Sequence, residues 1–183
     1  MTVSPISSAQ PAETPVKTSA QLRLANPADD AWIEDLQALS FGPGRYARAA
    51  FRVREQLPID TTLSLIAEID GKPVSSVWMT PISLSGVDGY LLGPLATDPV
   101  YRGRGAARLL VQEVTKLALN RDEGQYVLLV GDQPYYGPLG FAPTKPGAIL
   151  FPGPVDPTRI LVYSSDPRHV ETLHGPIAPF GQR

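Results

Sequence analysis

Leu92-Gly-Pro-Leu-Ala-Thr-Asp-Pro-Val-Tyr-Arg-Gly-Arg-Gly-Ala-Ala-Arg-Leu-Leu110 runs from a strand through a short turn into a helix. From Ala107 the apolar positions fall at Ala107, Leu110, Val111, Val114, Leu117 and Ala118, one face of a helix. Arg108, Gln112, Lys116 and Asn120 run up the opposite side. Gly103 and Gly105 stand where the strand ends and the helical pattern begins. The first turn of a helix carries N–H groups with no intrahelical acceptor, here aimed back at the glycines. Glycine takes positive φ and lets a ligand approach the backbone. With Arg102 and Arg104 alongside, the turn is predicted to hold an anion, a phosphate before any other. A tight turn that binds nothing is the plainer reading of the same glycines.

Two phosphate patterns are excluded. No Gly-Lys-Ser/Thr follows the turn, and Arg108 occupies the position where a dinucleotide fingerprint needs Gly or Ala. The spacing Arg102-x-x-Gly105-x-Ala107 is instead similar to the pyrophosphate signature of the GNAT superfamily of N-acetyltransferases, Arg/Gln-x-x-Gly-x-Gly/Ala. Its context adds to the resemblance. Leu95-Ala-Thr-Asp-Pro99 precedes the turn, a long amphipathic helix follows, then the apolar strand Tyr126 to Val130, then Tyr135-Tyr-Gly-Pro-Leu-Gly-Phe141. That last segment resembles the family's aromatic-Tyr-x-x-x-Gly-Phe. The resemblance spans Gln21 to Ser165. It implies one α/β domain, a mixed, mostly antiparallel sheet flanked by helices, with a bulged and splayed central strand pair.

Upstream of the key stretch, Gln21 to Ala25 alternates as a short strand, and Asn26-Pro27 reads as a helix cap. Ala31, Ile33, Leu36 and Leu39 carry a helix to Ser40, Gly42-Pro43-Gly44 breaks it, and a second helix is predicted from Arg45 to Gln56. Thr61 to Ile69 and Val74 to Ile82 form a hairpin about Asp70-Gly71, and Tyr90 to Thr97 is the strand that enters the glycine turn. Gly93-Pro94 within it marks an edge or a bulge, since proline donates nothing to a ladder. The resemblance favours the bulge, with pantetheine wedged into the gap beside it. Ten of the twenty prolines lie from Pro134 onward, which forbids a long C-terminal helix. Arg159 to Ser164 is the last clear strand. Residues 1–20, poor in large apolar side chains, are expected to be a flexible arm, and 166–183 a loosely attached tail.

At 183 residues, with 43% apolar and 19% charged, the chain suits one globular domain with a real core. A net charge of −2 argues for neither nucleic acid nor an anionic membrane as partner. The absence of cysteine removes disulfides, thiol nucleophiles and thiolate metal sites. The first twenty residues lack the basic start and apolar run of a secretory signal, and no stretch reaches the length of a membrane span, so a cytoplasmic protein is expected. A homodimer is compatible with this reading.

The resemblance implies acetyl-CoA as co-substrate, without a metal, and transfer of its acetyl group to a primary amine of a small molecule or a protein. Backbone groups of Arg102, Gly103, Arg104, Gly105, Ala106 and Ala107 would hold the pyrophosphate. Those of Leu95, Ala96 and Thr97 would align pantetheine, with an N–H near Leu95 or Ala96 facing the thioester oxygen. Tyr136 matches the tyrosine that protonates the departing thiolate; the bland alternative is that Tyr135 and Tyr136 only pack. No carboxylate lies in Tyr90 to Leu95, where many relatives carry the general base. Glu68, Asp70, Asp98 and Asp132 remain as candidates, each also readable as a surface or turn residue. Phe41, Arg45 and Tyr46 lie where the superfamily lines its acceptor pocket, or simply anchor a loop. His169 and His174 are read as solvated, not as ligands. An acyl-CoA-binding module without transferase activity stays open as an alternative, favoured by the absent base, and so does a nucleotide-phosphate enzyme.

Overall fold

The structure is a computed structural model that describes residues 20–121 and 124–181. The arm expected at 1–20 therefore lies outside the described residues, Ala20 excepted. In order, the elements are β1 (Gln21–Leu24), α1 (Asp30–Phe41), α2 (Ala49–Arg54), β2 (Leu65–Ile69), β3 (Lys72–Leu84) and β4 (Val87–Thr97). There follow α3 (Ala106–Leu119), β5 (Tyr126–Val130), α4 (Gln133–Tyr136), β6 (Ala142–Pro143), β7 (Ile149–Leu150) and β8 (Ile160–Ser164). The chain closes with α5 (His169–Thr172), β9 (Gly175–Pro176) and β10 (Ala178–Pro179). One sheet runs β1-β2-β3-β4-β5-β8-β6, with β10 paired to the far end of β3. Every pairing in it is antiparallel except β4 with β5. The sheet is thus mixed and mostly antiparallel, as expected.

Alternation sorts the side chains onto two faces. Val127 and Leu129 of β5 join the layer under α3, which presents Ala106, Leu110, Val111, Val114 and Ala118. Tyr126 and Leu128 point the other way, into a layer with Val53 of α2, Ile82, Leu91 and Leu173. The buried stripe of α3 differs from the predicted one by a small rotation, with Ala106 and Thr115 inside and Ala107 and Leu117 half-exposed.

Three local expectations needed correction. The predicted helix Arg45 to Gln56 is two pieces: a 3₁₀ turn over Pro43–Ala47, an extended Arg48 (φ −71°, ψ 137°), then the short α2. Thr61 to Leu63 is a 3₁₀ turn, capped by Asp60, and not the start of β2. The C-terminal tail is docked. Leu173 is 1% exposed, β9 pairs with β7, β10 pairs with β3, and the Phe180 ring lies 5.8 Å from that of Tyr90. His169 is buried with it, its Nδ1 2.8 Å from Ser164 Oγ, while His174 meets Ser85. Two-residue strands carry no periodicity, which is why the sequence reads as loose there. Leu173→Ala is accordingly expected to destabilise the fold by about 2–5 kcal/mol. A denaturant midpoint shared by core and tail probes tests this; an unshifted midpoint would return the tail to the surface.

Candidate functional site

The site begins with an interruption in β4. Val77 pairs with Leu95 and Met79 with Leu92, so β4 spends one more residue than β3 across this step. The extra residue falls at Gly93-Pro94, where Gly93 adopts φ +119°, a value open to glycine and costly for other residues. On its other edge β4 pairs with β5 only at Tyr90–Val127 and Leu91–Leu128. Beyond Leu91 the two strands part, and β4 runs on to Thr97 while β5 ends at Val130.

The direction of the free backbone groups follows from the ladder. Asp98 donates its N–H to the Val74 carbonyl at 2.9 Å, and Ala96 is paired with Ser76 in the same phase. Successive residues of a strand point their N–H and C=O to opposite edges. Ala96 therefore faces β3, and the backbone groups of Leu95 and Thr97 face the opening. Of the two amides named for the thioester oxygen, Leu95 is the one turned toward the opening.

Below the opening, Asp98 caps the turn Pro99–Tyr101 by accepting from Val100 N–H at 2.9 Å. Gly103 (φ +77°) and Gly105 (φ +87°) then swing the chain into α3. Leu109 is bonded to the Gly105 carbonyl at 3.0 Å, so the N–H groups of Ala106, Ala107 and Arg108 precede the first helical bond. A Cβ built on Gly103 or Gly105 meets nothing within 4 Å, which leaves the turn accessible to a ligand. The donor set, an open glycine turn at the positive end of a 14-residue helix, fits a pyrophosphate.

A groove of about 730 Å³ joins these parts. Leu95, Ala96, Thr97, Arg102, Gly103, Gly105, Ala106 and Ala107 all line it, as do Phe41, Asp132 and Tyr135. Arg104 does not line it; its guanidinium stacks 5.0 Å from the Tyr101 ring centre. A second cavity of about 190 Å³ opens from the parted strands and shares Phe41, Leu95 and Asp132 with the groove. Tyr136 lines this second cavity.

Tyr136 is seated by its neighbours. Its ring is edge-on to Tyr135 at 4.8 Å and to Phe141 at 5.8 Å. Gly131 makes the room, since a Cβ there would run into the Tyr136 ring. Burial, foremost, raises the phenol well above its ordinary value; Tyr135 and Asp132 push the same way, and Arg159 opposes them. The hydroxyl is consequently a protonated donor at any physiological pH.

Of the four candidate carboxylates only Asp132 lines either cavity. It is largely exposed and paired with Arg159 at 3.1 Å. Glu68 is held by Arg23 at 2.6 Å, Asp70 sits in the β2–β3 turn, and Asp98 is committed to its cap. Phe41 lines both cavities, whereas Arg45 and Tyr46 line neither and are bonded to each other at 2.6 Å. The sequence did not point to Arg48, Arg54 or Arg159, which all line the smaller cavity.

Among the described residues no helix is long and apolar enough to cross a membrane, and no three His, Asp or Glu residues gather as a metal site. Residues 30–141 match the family model of the acetyltransferase (GNAT) family. An Escherichia coli protein, the uncharacterized N-acetyltransferase YhbS, is 34% identical over 123 residues, covering 66% of this chain and 72% of that protein. A second from the same organism, YjhQ, is 29% identical over 125 residues, covering 66% and 68%. The crystal structure of YhbS in complex with CoA superposes with a TM-score of 0.66 at 26% identity, over 87% of this chain and 89% of that one. A GNAT acetyltransferase from Brucella melitensis in complex with acetyl-CoA shares the fold with a TM-score of 0.62 at 22% identity, over 90% and 97%. Split sheet, glycine turn and family match agree: the chain belongs to the GNAT family of acetyltransferases.

Proposed function

We propose that the protein transfers an acetyl group from acetyl-CoA to a primary amine of a small molecule, and that the parted strands β4 and β5 carry out the alignment. The observation that carries this reading is the continuity of the site: one groove runs from the glycine turn along Thr97 and Leu95 and meets the cavity of Tyr136 at Asp132. Acetyl-CoA supplies the acyl group as a thioester. The N–H groups at the start of α3 bind the pyrophosphate, Thr97 and Leu95 accept pantetheine as a neighbouring strand would be accepted, and the Leu95 N–H polarises the acyl oxygen. Fixing both partners in one orientation removes much of the entropic barrier to reaction.

The proton balance involves two side chains. A carbon–nitrogen bond forms as the carbon–sulfur bond breaks, and the nitrogen must lose a proton while the sulfur gains one. Tyr136 donates to the sulfur. A phenol is already a weaker acid than a thiol and burial widens the gap, so complete transfer from an isolated phenol would be uphill. The phenol therefore acts chiefly through its hydrogen bond to the developing thiolate; where its proton passes to sulfur, water returns one to the phenolate, and the proton taken from nitrogen is released to solvent. Asp132, at the junction of the two cavities, is the carboxylate positioned to take the proton from nitrogen, directly or through water.

Thiol release from acetyl-CoA across a panel of primary amines tests the reading. Amine-dependent release with stoichiometric N-acetyl product is the expected result. Tight CoA binding without turnover on any amine would identify a binding module instead.

A further inference from the structure

The smaller cavity contains a cation that the protein itself does not neutralise. Arg54, the last residue of α2, folds under Phe51 so that its guanidinium carbon lies 5.0 Å from the ring centre. The residue as a whole is half-buried, but Nε and Nη1 are closed off from solvent and meet no hydrogen-bond partner. The third nitrogen reaches β4, where a Cβ built on Gly93 would stand 3.6 Å from Nη2. No carboxylate among the described residues is paired with Arg54. Glu55, next in sequence, is engaged by Arg52 at 3.0 Å, and Asp132 across the cavity is engaged by Arg159. Burial with nothing negative to offset it pushes the Arg54 guanidinium down to about 9, so it remains charged at neutral pH.

A buried, unpaired guanidinium is costly and is kept only where something compensates for it. With Nε and Nη1 closed off, Nη2 is the nitrogen left to meet a ligand, and a charge-assisted hydrogen bond from it to an oxyanion would supply the missing negative partner. The guanidinium's location identifies the oxyanion's bearer, because the point where a Cβ would stand on Gly93 is 3.6 Å from Arg54 Nη2 and 3.6 Å from the Leu95 amide nitrogen, which keeps the two close together. An amine placed for attack beside Leu95 thus has its other end within reach of Arg54. The cavity, about 190 Å³, holds roughly six waters at about 30 Å³ each, room enough for a small metabolite.

Resting on the transferase reading above, we propose that the acceptor is a small amine bearing a carboxylate, an amino acid in the broad sense, and that Arg54 binds this carboxylate and sets acceptor specificity. Arg48, stacked 5.0 Å from the Phe41 ring centre, adds positive charge to the same wall. A lysine side chain carries no carboxylate of its own to answer Arg54.

The test compares α- and ω-amino acids with their carboxamides as acceptors, for the wild type and for Arg54→Gln. Wild type should favour the acids. Arg54→Gln should lower kcat/KM for them by about ten- to a hundredfold, the value of one charge-assisted hydrogen bond, and leave the carboxamides within a few-fold. Taking the acid-to-carboxamide ratio within each protein cancels the different amine pKa values. An identical ratio in both proteins overturns the proposal while the transferase reading stands. Should neither class turn over, calorimetry of the same compounds with wild type separates the two ideas. Acids that bind where carboxamides do not would sustain the role of Arg54 and sink the transfer reaction; equal binding, or none, would end the proposal. Arg54→Gln should unfold cooperatively at an equal or higher temperature, since an unpaired buried charge is removed. Arg54→Lys, which keeps a cationic donor at this position, should retain more of the acid preference than Arg54→Gln.

Discussion

Tyr136→Phe is expected to lower turnover by about a hundred- to ten-thousandfold, the usual loss when a positioned acid is removed. Acetyl-CoA affinity should change little, because the phosphate turn lies in the groove and Tyr136 in the adjoining cavity. The substitution keeps the ring that Tyr135, Phe141 and the bare Gly131 backbone hold in place, so stability should survive. Tyr135→Phe should be milder, since that residue lines the groove and not the cavity of the reacting centre. The pH profile supplies an independent check. Burial raises the Tyr136 pKa, so the donor form persists through and beyond pH ~10, the ordinary phenol value. Turnover should therefore rise as the amine deprotonates and show no alkaline decline from this tyrosine below that pH. Full turnover in Tyr136→Phe, with chemistry shown to be rate-limiting, would make the tyrosine scaffold.

Gly105→Glu is expected to weaken CoA binding by about a thousandfold or more, read by calorimetry. Two or three charge-assisted hydrogen bonds at about 1.5–3 kcal/mol each are at stake, and the new carboxylate would repel the pyrophosphate. The side chain meets no atom within 4 Å, so it enters the ligand's space without breaking the core. Backbone strain is the separate cost, because Gly105 sits at φ +87° and a left-handed residue with a Cβ loses about 1–2 kcal/mol. Gly105→Ala pays that strain without the charge. It should lower the melting temperature to a similar degree but retain far more affinity. Equal affinity losses in the two variants would show that backbone distortion, and not charge, is responsible.

What could be read ahead of the structure was what is encoded locally. The apolar stripe of α3, the Asn26 cap and the apolar run of β5 each follow from spacing within a few residues. Gly93-Pro94 announced an irregularity in its strand, and the register shift of β4 lies there. The failures have a common cause. Arg54 looks like any exposed arginine on a short helix, and nothing near it in sequence tells that its head group folds under Phe51 toward Gly93 on another element. The break at Arg48 depends on how the Gly42 turn, φ +67°, launches the following residues. The docked tail uses pairings only two residues long, whose partners lie some 25 to more than 90 positions away in sequence. Asp132 could be named as a candidate base but not preferred over three other carboxylates until the cavities showed which of them it alone reaches.

The parting of β4 from β5 has a price in solubility. It leaves backbone donors and acceptors of Leu95 and Thr97 along a bare rim inside the sheet, the kind of template on which a stray chain can nucleate cross-strand pairing. Barrels remove such rims by closure and many proteins protect them with lysines; here Phe41 stands in the same groove as Leu95 and Thr97. An acyl donor lying along that rim would act as a removable strand. Acetyl-CoA should thus slow aggregation on heating and deepen amide-exchange protection in the second half of β4, making the co-substrate a folding chaperone for the enzyme that consumes it.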